Sequence, residues 1–143
     1  MTNFVFQIDG KTVHATPDDV ILTAAERSGI DIPRLCYKPG YRAEGNCRAC
    51  MVEIEGERVL AASCIREPTP GMKVNTQSSR AKSARKIVFE LLVSDQPDRT
   101  IHHDKNSQFW CWSDKVGVKT SRFPAKTKPK ADPSPVSYTH LTL

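Results

Sequence analysis

The sequence lacks any long hydrophobic run, and this absence excludes a membrane-spanning helix, which needs roughly 20 consecutive apolar residues. It also lacks a basic N-terminal stretch followed by an apolar segment, the pattern of a secretory signal, so we expect a cytoplasmic protein. In that reducing compartment, the 5 cysteines are better suited to metal binding or redox chemistry than to disulfide bonds.

Aromatic residues are few, at 7% of the chain, and no arginine-rich run is present. The net charge of +5 arises in the second half, where residues 65–143 hold 14 basic against 7 acidic residues. Because the sequence shows no aromatic platform on which bases could stack, this positive charge does not predict nucleic-acid binding. We interpret it as a solvated helix face and a lysine-rich linker, with a docking surface for an acidic protein as the weaker alternative.

Apolar alternation and turn residues predict a small mixed sheet with a helix across it, which is the α+β class. Asp9-Gly10 predicts a tight hairpin turn, and Asp18 and Asp19 predict an acidic, Asp-capped helix start that Gly29 ends. The predicted strands cover 4–8, 11–15, 51–55, 58–61 and 72–74. The predicted helices cover about 17–28, 79–93 and 107–116.

Four cysteines follow the spacing Cys36-x10-Cys47-x2-Cys50-x13-Cys64. A 2Fe–2S cluster needs four thiolates, two for each iron. The loop between the first and third cysteines contains glycine and alanine, which let the backbone approach the sulfur atoms closely. Arg42 and Arg48 flank this loop and either offset the anionic cluster or are plain surface charges.

Three other interpretations of these cysteines stay open at this point. A structural zinc site also uses four thiolates, but usually as two close pairs, and only Cys47 and Cys50 form such a pair. Two disulfides need an oxidising compartment. A C-x2-C redox pair needs a strand-to-helix setting, whereas here the pair runs into a predicted strand.

The cysteines and their neighbours resemble the ferredoxin-like N-terminal domain of large redox subunits. The matching residues are Leu35-Cys36-Tyr37, the stretch from Gly45 to Gly56, and Leu60 to Cys64. Members include the G subunit of bacterial complex I, the diaphorase parts of NAD-reducing hydrogenases and the α subunit of NAD-dependent formate dehydrogenase. The resemblance implies a β-grasp fold and a cluster with Cys36 and Cys47 on one iron and Cys50 and Cys64 on the other.

The region after the second predicted helix departs from the complex I pattern. Those relatives continue with a histidine and three cysteines that bind a 4Fe–4S cluster, whereas here Asp95-Gln96-Pro97 lacks the histidine and Cys111 stands alone. His102 and His103 lie in a polar stretch, and we expect them to face solvent. Residues 94–118 most resemble the formate dehydrogenase α subunit.

The resemblance divides the chain into four segments. We expect a 2Fe–2S ferredoxin-type domain, a helical extension that resembles a 4Fe–4S His/Cys domain without its ligands, a largely extended Pro/Lys-rich linker and an artefactual tail. These segments are residues 1–78, 79–118, 119–134 and 135–143, respectively.

The main functional hypothesis is the truncated N-terminal part of a formate dehydrogenase α subunit, which oxidises formate to carbon dioxide and sends electrons toward NAD. The parent would also carry 4Fe–4S clusters and a molybdopterin cofactor, and would contact other redox subunits, among them one that binds flavin and NAD. This fragment holds no catalytic residue and would transfer electrons only. The alternatives are a complex I G-like or hydrogenase diaphorase domain, a free-standing ferredoxin and, last, a zinc-stabilised interaction domain.

Overall fold

A computed structural model describes residues 3–125 and shows one five-stranded mixed sheet with three helices. The strand order is β2-β1-β5-β3-β4. Only β1 and β5 pair in parallel, and the other neighbours are antiparallel. The strands are β1 (Phe4–Ile8), β2 (Lys11–Ala15), β3 (Met51–Ile54), β4 (Ala61–Ala62) and β5 (Lys73–Asn75), and the helices are α1 (Ile21–Arg27), α2 (Ser79–Ser94) and α3 (Gln108–Val116).

The predicted hairpin forms as expected, with Phe4 opposite Ala15 and Ile8 opposite Lys11. Its inward-facing side chains are buried, because alternate residues of a strand point to the same face. The fourth strand is shorter than predicted, since only Ala61 and Ala62 pair with β3. The sheet therefore ends on a two-residue strand shortly before Cys64.

The first helix begins later than predicted, at Ile21, because Asp19 has another role. One carboxylate oxygen of Asp19 accepts hydrogen bonds from the backbone of Thr16 at 2.8 Å and from Arg27 Nη2 at 2.6 Å. Thr23 Oγ1 accepts instead from the backbone N–H of Val20, the residue that caps the helix, at 3.1 Å. Asp19 thus ties the β2–α1 connection to the end of the helix.

The second helix buries a face different from the one its apolar residues suggest. Ala81 is buried as the pattern predicts, but Leu91 is 47% exposed. The buried positions are Ala81, Arg85, Phe89 and Glu90. Tertiary contacts have therefore rotated the buried face toward a row that contains two charged residues.

Two cores stabilise the chain, and the second one involves the cysteine loop. The main core lies between the sheet and α1. The second core packs Ala49 against Phe89 of α2, Trp112 of α3 and Val118, and Cys47 lies at its edge. The two C-terminal helices are therefore packed on the loop that carries the cysteines.

Residues 119–125 of the predicted linker are described, and the remainder of it, like the predicted tail at 135–143, lies outside the described residues. Among residues 3–125, no helix is both long enough and apolar enough to cross a bilayer.

Candidate metal centre

The β3–β4 pair brings two of the predicted ligands side by side. Cys50 directly precedes β3 and Cys64 comes two residues after β4, and each is 1% exposed. Ser63 fixes the position of Cys64 relative to Cys50, because its backbone N–H and its hydroxyl both donate to the carbonyl of Cys50, at 3.2 and 2.9 Å. The sheet thus presents two buried thiols to the same end of the core.

The other two predicted ligands lie in the loop that precedes β3. Cys36 is exposed and Cys47 is half-buried. The loop has no strand or helix between Cys36 and Cys50, as predicted, so its shape depends on turns and side-chain packing. The four thiols therefore form a site with a buried half on the sheet and a more accessible half on the loop.

The Cys64 thiol lies within the electrostatic influence of the other three predicted ligands. Burial raises the pKa of the Cys64 thiol to about 12, and the charge and hydrogen bond of Cys50 add to this effect, followed by the charges of Cys36 and Cys47. A metal must displace the Cys64 proton to bind there, so metal uptake releases protons and is favoured as the pH rises. The surroundings of Cys64, burial first and the other thiols after it, therefore disfavour its thiolate form.

The backbone of the loop is shaped for close approach to sulfur. The amide of Ala49 donates a hydrogen bond to Cys47 Sγ at 3.5 Å. Arg48 has a left-handed backbone with φ 58°, uncommon for a residue with a side chain. Gly45, with φ 66°, is packed so tightly on Ile65 that an added Cβ would lie 2.8 Å from the Cδ1 atom of that side chain. The loop therefore leaves little room for a side chain at position 45.

The donor set at this site consists of four thiols, the number that a 2Fe–2S cluster needs. In the described part of the chain, no group of three or more His, Cys, Asp or Glu side chains is arranged to hold a metal ion. The cysteines are all free, so the disulfide alternative is not realised. A pair of irons would take two sulfur ligands each from the protein, and the four thiols supply that number.

The remaining metal-binding side chains do not join this site. The Cys111 thiol donates to the carbonyl of Asn106 at 3.4 Å, on the exposed side of α3. His103 is exposed as predicted, whereas His102 is half-buried and stacks on His103, with 4.7 Å between ring centroids. His102 Nδ1 accepts a hydrogen bond from the backbone of Asp104 at 3.2 Å.

Sequence reasoning missed two features around the centre. The first is the second core, whose signal was the spacing of Phe109, Trp112 and Val116 along one side of α3. The second is Arg85, which is 5% exposed, donates to the carbonyl of Thr76 and experiences the charge of Cys50. No local sequence pattern predicts that this arginine is buried, because tertiary contacts bury it.

The sheet, the crossing helix and the four thiols, two at the sheet and two on the loop before β3, together define the class of ferredoxin-like iron–sulfur domains. A family model described as a 2Fe-2S iron-sulfur cluster binding domain matches residues 2–79. That is more than half of the 143 residues, and the chain belongs to this family. The predicted α+β ferredoxin-like fold and the predicted 2Fe–2S cofactor are thereby confirmed.

Similar proteins are components of larger redox enzymes. The chain is 44% identical over 102 residues to the NADP-reducing hydrogenase subunit HndD of Solidesulfovibrio fructosivorans, covering 68% of this chain and 17% of that protein. It is 41% identical over 90 residues to the mitochondrial NADH dehydrogenase [ubiquinone] iron-sulfur protein 1 of Solanum tuberosum, covering 63% and 12%. It is 37% identical over 134 residues to the G subunit of the NADH-quinone oxidoreductase of Streptomyces coelicolor, covering 91% and 16%.

A solved structure of an NAD+-reducing [NiFe]-hydrogenase in the H2-reduced state has a similar fold, with a TM-score of 0.76 and 25% sequence identity. The match covers 89% of this chain and 54% of that chain. The chain spans less than a fifth of the length of the three curated relatives. These relatives are NADH dehydrogenase and hydrogenase subunits, so they support an electron-transfer domain without pointing to formate dehydrogenase.

Proposed function

We propose that Cys36, Cys47, Cys50 and Cys64 hold the 2Fe–2S cluster and that this chain is a one-electron relay within a larger redox subunit. The observation that carries the proposal is the grouping of two buried thiols at the sheet with one exposed and one half-buried thiol on the adjacent loop. When bound, a 2Fe–2S cluster accepts and releases single electrons. The chain's own contribution is to fix the thiols, bury one side of them and offer backbone amides to sulfur.

The geometry also supports one edge of the cluster as the place of electron exchange. Cys50 and Cys64 are both buried, and Ser63, the neighbour of Cys64, donates to the carbonyl of Cys50; this supports the pairing of these two residues on one iron, with Cys36 and Cys47 on the other. Cys36 is exposed, whereas Cys50 and Cys64 are buried. Electrons therefore enter and leave at the Cys36 edge, where a partner approaches most closely.

The parent that fits best is a subunit of the NADH dehydrogenase G type or of an NAD(P)-reducing hydrogenase. The support is the 37% identity to a G subunit over 91% of this chain, which reaches beyond the cluster domain. In such an assembly the partners would be other redox subunits, including one that binds flavin and NAD, within the reducing cytoplasm. The formate dehydrogenase hypothesis rests only on the resemblance of residues 94–118 and takes second place.

Anaerobic reconstitution with iron and sulfide tests the ligand set. The chain should take up two irons and two sulfides, turn brown and give a rhombic EPR signal on reduction. Replacing any one of Cys36, Cys47, Cys50 or Cys64 with serine should abolish or severely weaken cluster binding.

The matched control is Cys111→Ser, because this fifth cysteine lies on the exposed side of α3 and bonds to a carbonyl of its own segment. Cys111→Ser should bind the cluster as the unmodified chain does. Loss of the cluster in this variant, or a colourless protein with one zinc per chain, would contradict the proposed site.

A further inference from the structure

A cavity of about 330 Å³ lies between α2, the C-terminal part of α3 and the segment that follows α1. Its wall holds four cationic side chains and one carboxylate, namely Lys82, Arg85, Lys86, Lys115 and Asp31. Lys115 is already partnered, since its Nζ atom lies 2.6 Å from Asp31 Oδ2 and 4.4 Å from the centroid of the Trp112 ring. The other three cations have no ion-pair partner among residues 3–125.

These three cations stand on one face of α2. Arg85 and Lys86 lie three and four residues after Lys82, a spacing that makes side chains neighbours on a helix, where like charges repel. The carboxylate best placed to relieve the repulsion, Glu90, is four residues after Lys86 but lies 2.8 Å from Arg122 Nε instead. The helix therefore keeps a row of positive charge that its own neighbours leave uncompensated.

Arg85 differs from the two lysines of this row because it is buried, whereas they are exposed. Its side chain is about nineteen-twentieths buried and donates to the carbonyl of Thr76, while its remaining surface lines the cavity. Burying a cation without a carboxylate partner is costly, and burial lowers the pKa of Arg85. Asp9 attracts it, but the Asp9 carboxylate accepts instead from the backbone and hydroxyl of Thr76, at 2.7 and 2.5 Å.

We propose that this cavity is a binding site for a small phosphate-bearing molecule, held by Lys82, Arg85 and Lys86. Three cations, together with the Ser83 hydroxyl in the wall, supply more donors than one carboxylate uses and match the several oxygens of a phosphate. The volume is at the lower end of the range for small-molecule sites. None of the four cysteines lines the cavity, although Arg85 experiences the charge of Cys50.

The test is calorimetric titration of the reconstituted chain with inorganic pyrophosphate at low ionic strength. We expect saturable one-to-one binding that the double variant Lys82→Gln/Lys86→Gln weakens at least tenfold. The matched control is Lys11→Gln/Lys105→Gln, which removes the same charge from exposed positions outside the cavity and should weaken binding less than twofold. Both variants keep α2 and the buried Arg85, and visible absorbance shows that each sample holds its cluster.

Three outcomes would overturn the proposal. One is the absence of saturable pyrophosphate binding, and another is equal weakening in the two double variants, which would reflect net charge alone. The third is saturable binding of a hexaglutamate peptide with none of pyrophosphate, since the patch would then fit an acidic protein segment. If a double variant unfolds, the single variant Lys86→Gln replaces it, with an expected loss of at least threefold against Lys11→Gln.

Discussion

The contact between Gly45 and Ile65 predicts that Gly45→Ala loosens the cluster loop by more than backbone strain alone. The φ of 66° is left-handed, and holding alanine there costs about 1–2 kcal/mol. The added Cβ would also lie 2.8 Å from Ile65 Cδ1, and moving that side chain costs about 1 kcal/mol more, at the low end for overpacking because Ile65 is half-exposed. The total is about 2–3 kcal/mol.

Two further variants separate strain from contact. Gly40 lies in the same loop with φ 84° and no atom within 4 Å of an added Cβ, so Gly40→Ala carries the strain without the clash. In Gly45→Ala/Ile65→Val the Cδ1 atom is gone, and the nearest remaining atom is Cγ1 at 3.4 Å, close to ordinary contact. This double variant should therefore behave like Gly40→Ala.

The assay is the rate at which visible absorbance decays in urea under anaerobic conditions, because cluster loss makes equilibrium unfolding irreversible. A difference of about 1 kcal/mol corresponds to roughly fivefold faster decay for Gly45→Ala than for Gly40→Ala when the contact is lost before the transition state. Equal rates for these two variants, or no recovery on adding Ile65→Val, would refute the packing argument.

Three other changes test the frame around the site. Because Arg27 holds the pKa of Asp19 well below its usual range, the ion pair stabilises the fold above about pH 4, and this stabilisation is lost as the pH falls through the folded pKa. In the same decay assay, Asp19→Asn should lose its cluster faster than the unmodified chain at pH 7, in line with a destabilisation of about 1–3 kcal/mol, and the difference should shrink as the pH falls below about 4. Ser78→Ala removes the side-chain cap of α2 and should cost about 1 kcal/mol in the same assay, whereas no loss would mean that the cap contributes nothing. Phe89→Ala opens a cavity in the second core and should cost about 3–5 kcal/mol of stability and speed the release of the cluster to a chelator. The control Ile101→Ala, at an exposed position, should leave stability and cluster release unchanged. Equal effects of the two variants would argue against a link between the second core and the cysteine loop.

Local sequence signals located most of the elements because they act over a few residues. The Asp9-Gly10 turn fixes the first hairpin, and the C-x2-C pair that runs into β3 places two predicted ligands just before a strand. The predicted strands and turns were enough to predict a mixed sheet. The confirmed cluster chemistry followed from the cysteine spacing together with the family resemblance, whereas the individual ligand assignments stay a prediction.

Non-local contacts decided what the sequence could not predict. Asp19 resembled a helix cap, but Arg27, eight residues away, engages its carboxylate, so the helix starts at Ile21. The face of α2 rotated because Arg85 reaches Thr76 and Phe89 reaches Ala49, and neither contact has a periodic signature.

Mössbauer spectroscopy of the chain reconstituted with ⁵⁷Fe and reduced by one electron tests the central claim most directly. Two irons held by four cysteines, two on each, should give equal amounts of a ferric and a ferrous site in every loaded chain. A single ferrous species at one iron per chain would show instead that the four thiols converge on one metal, and the two-iron account would be wrong.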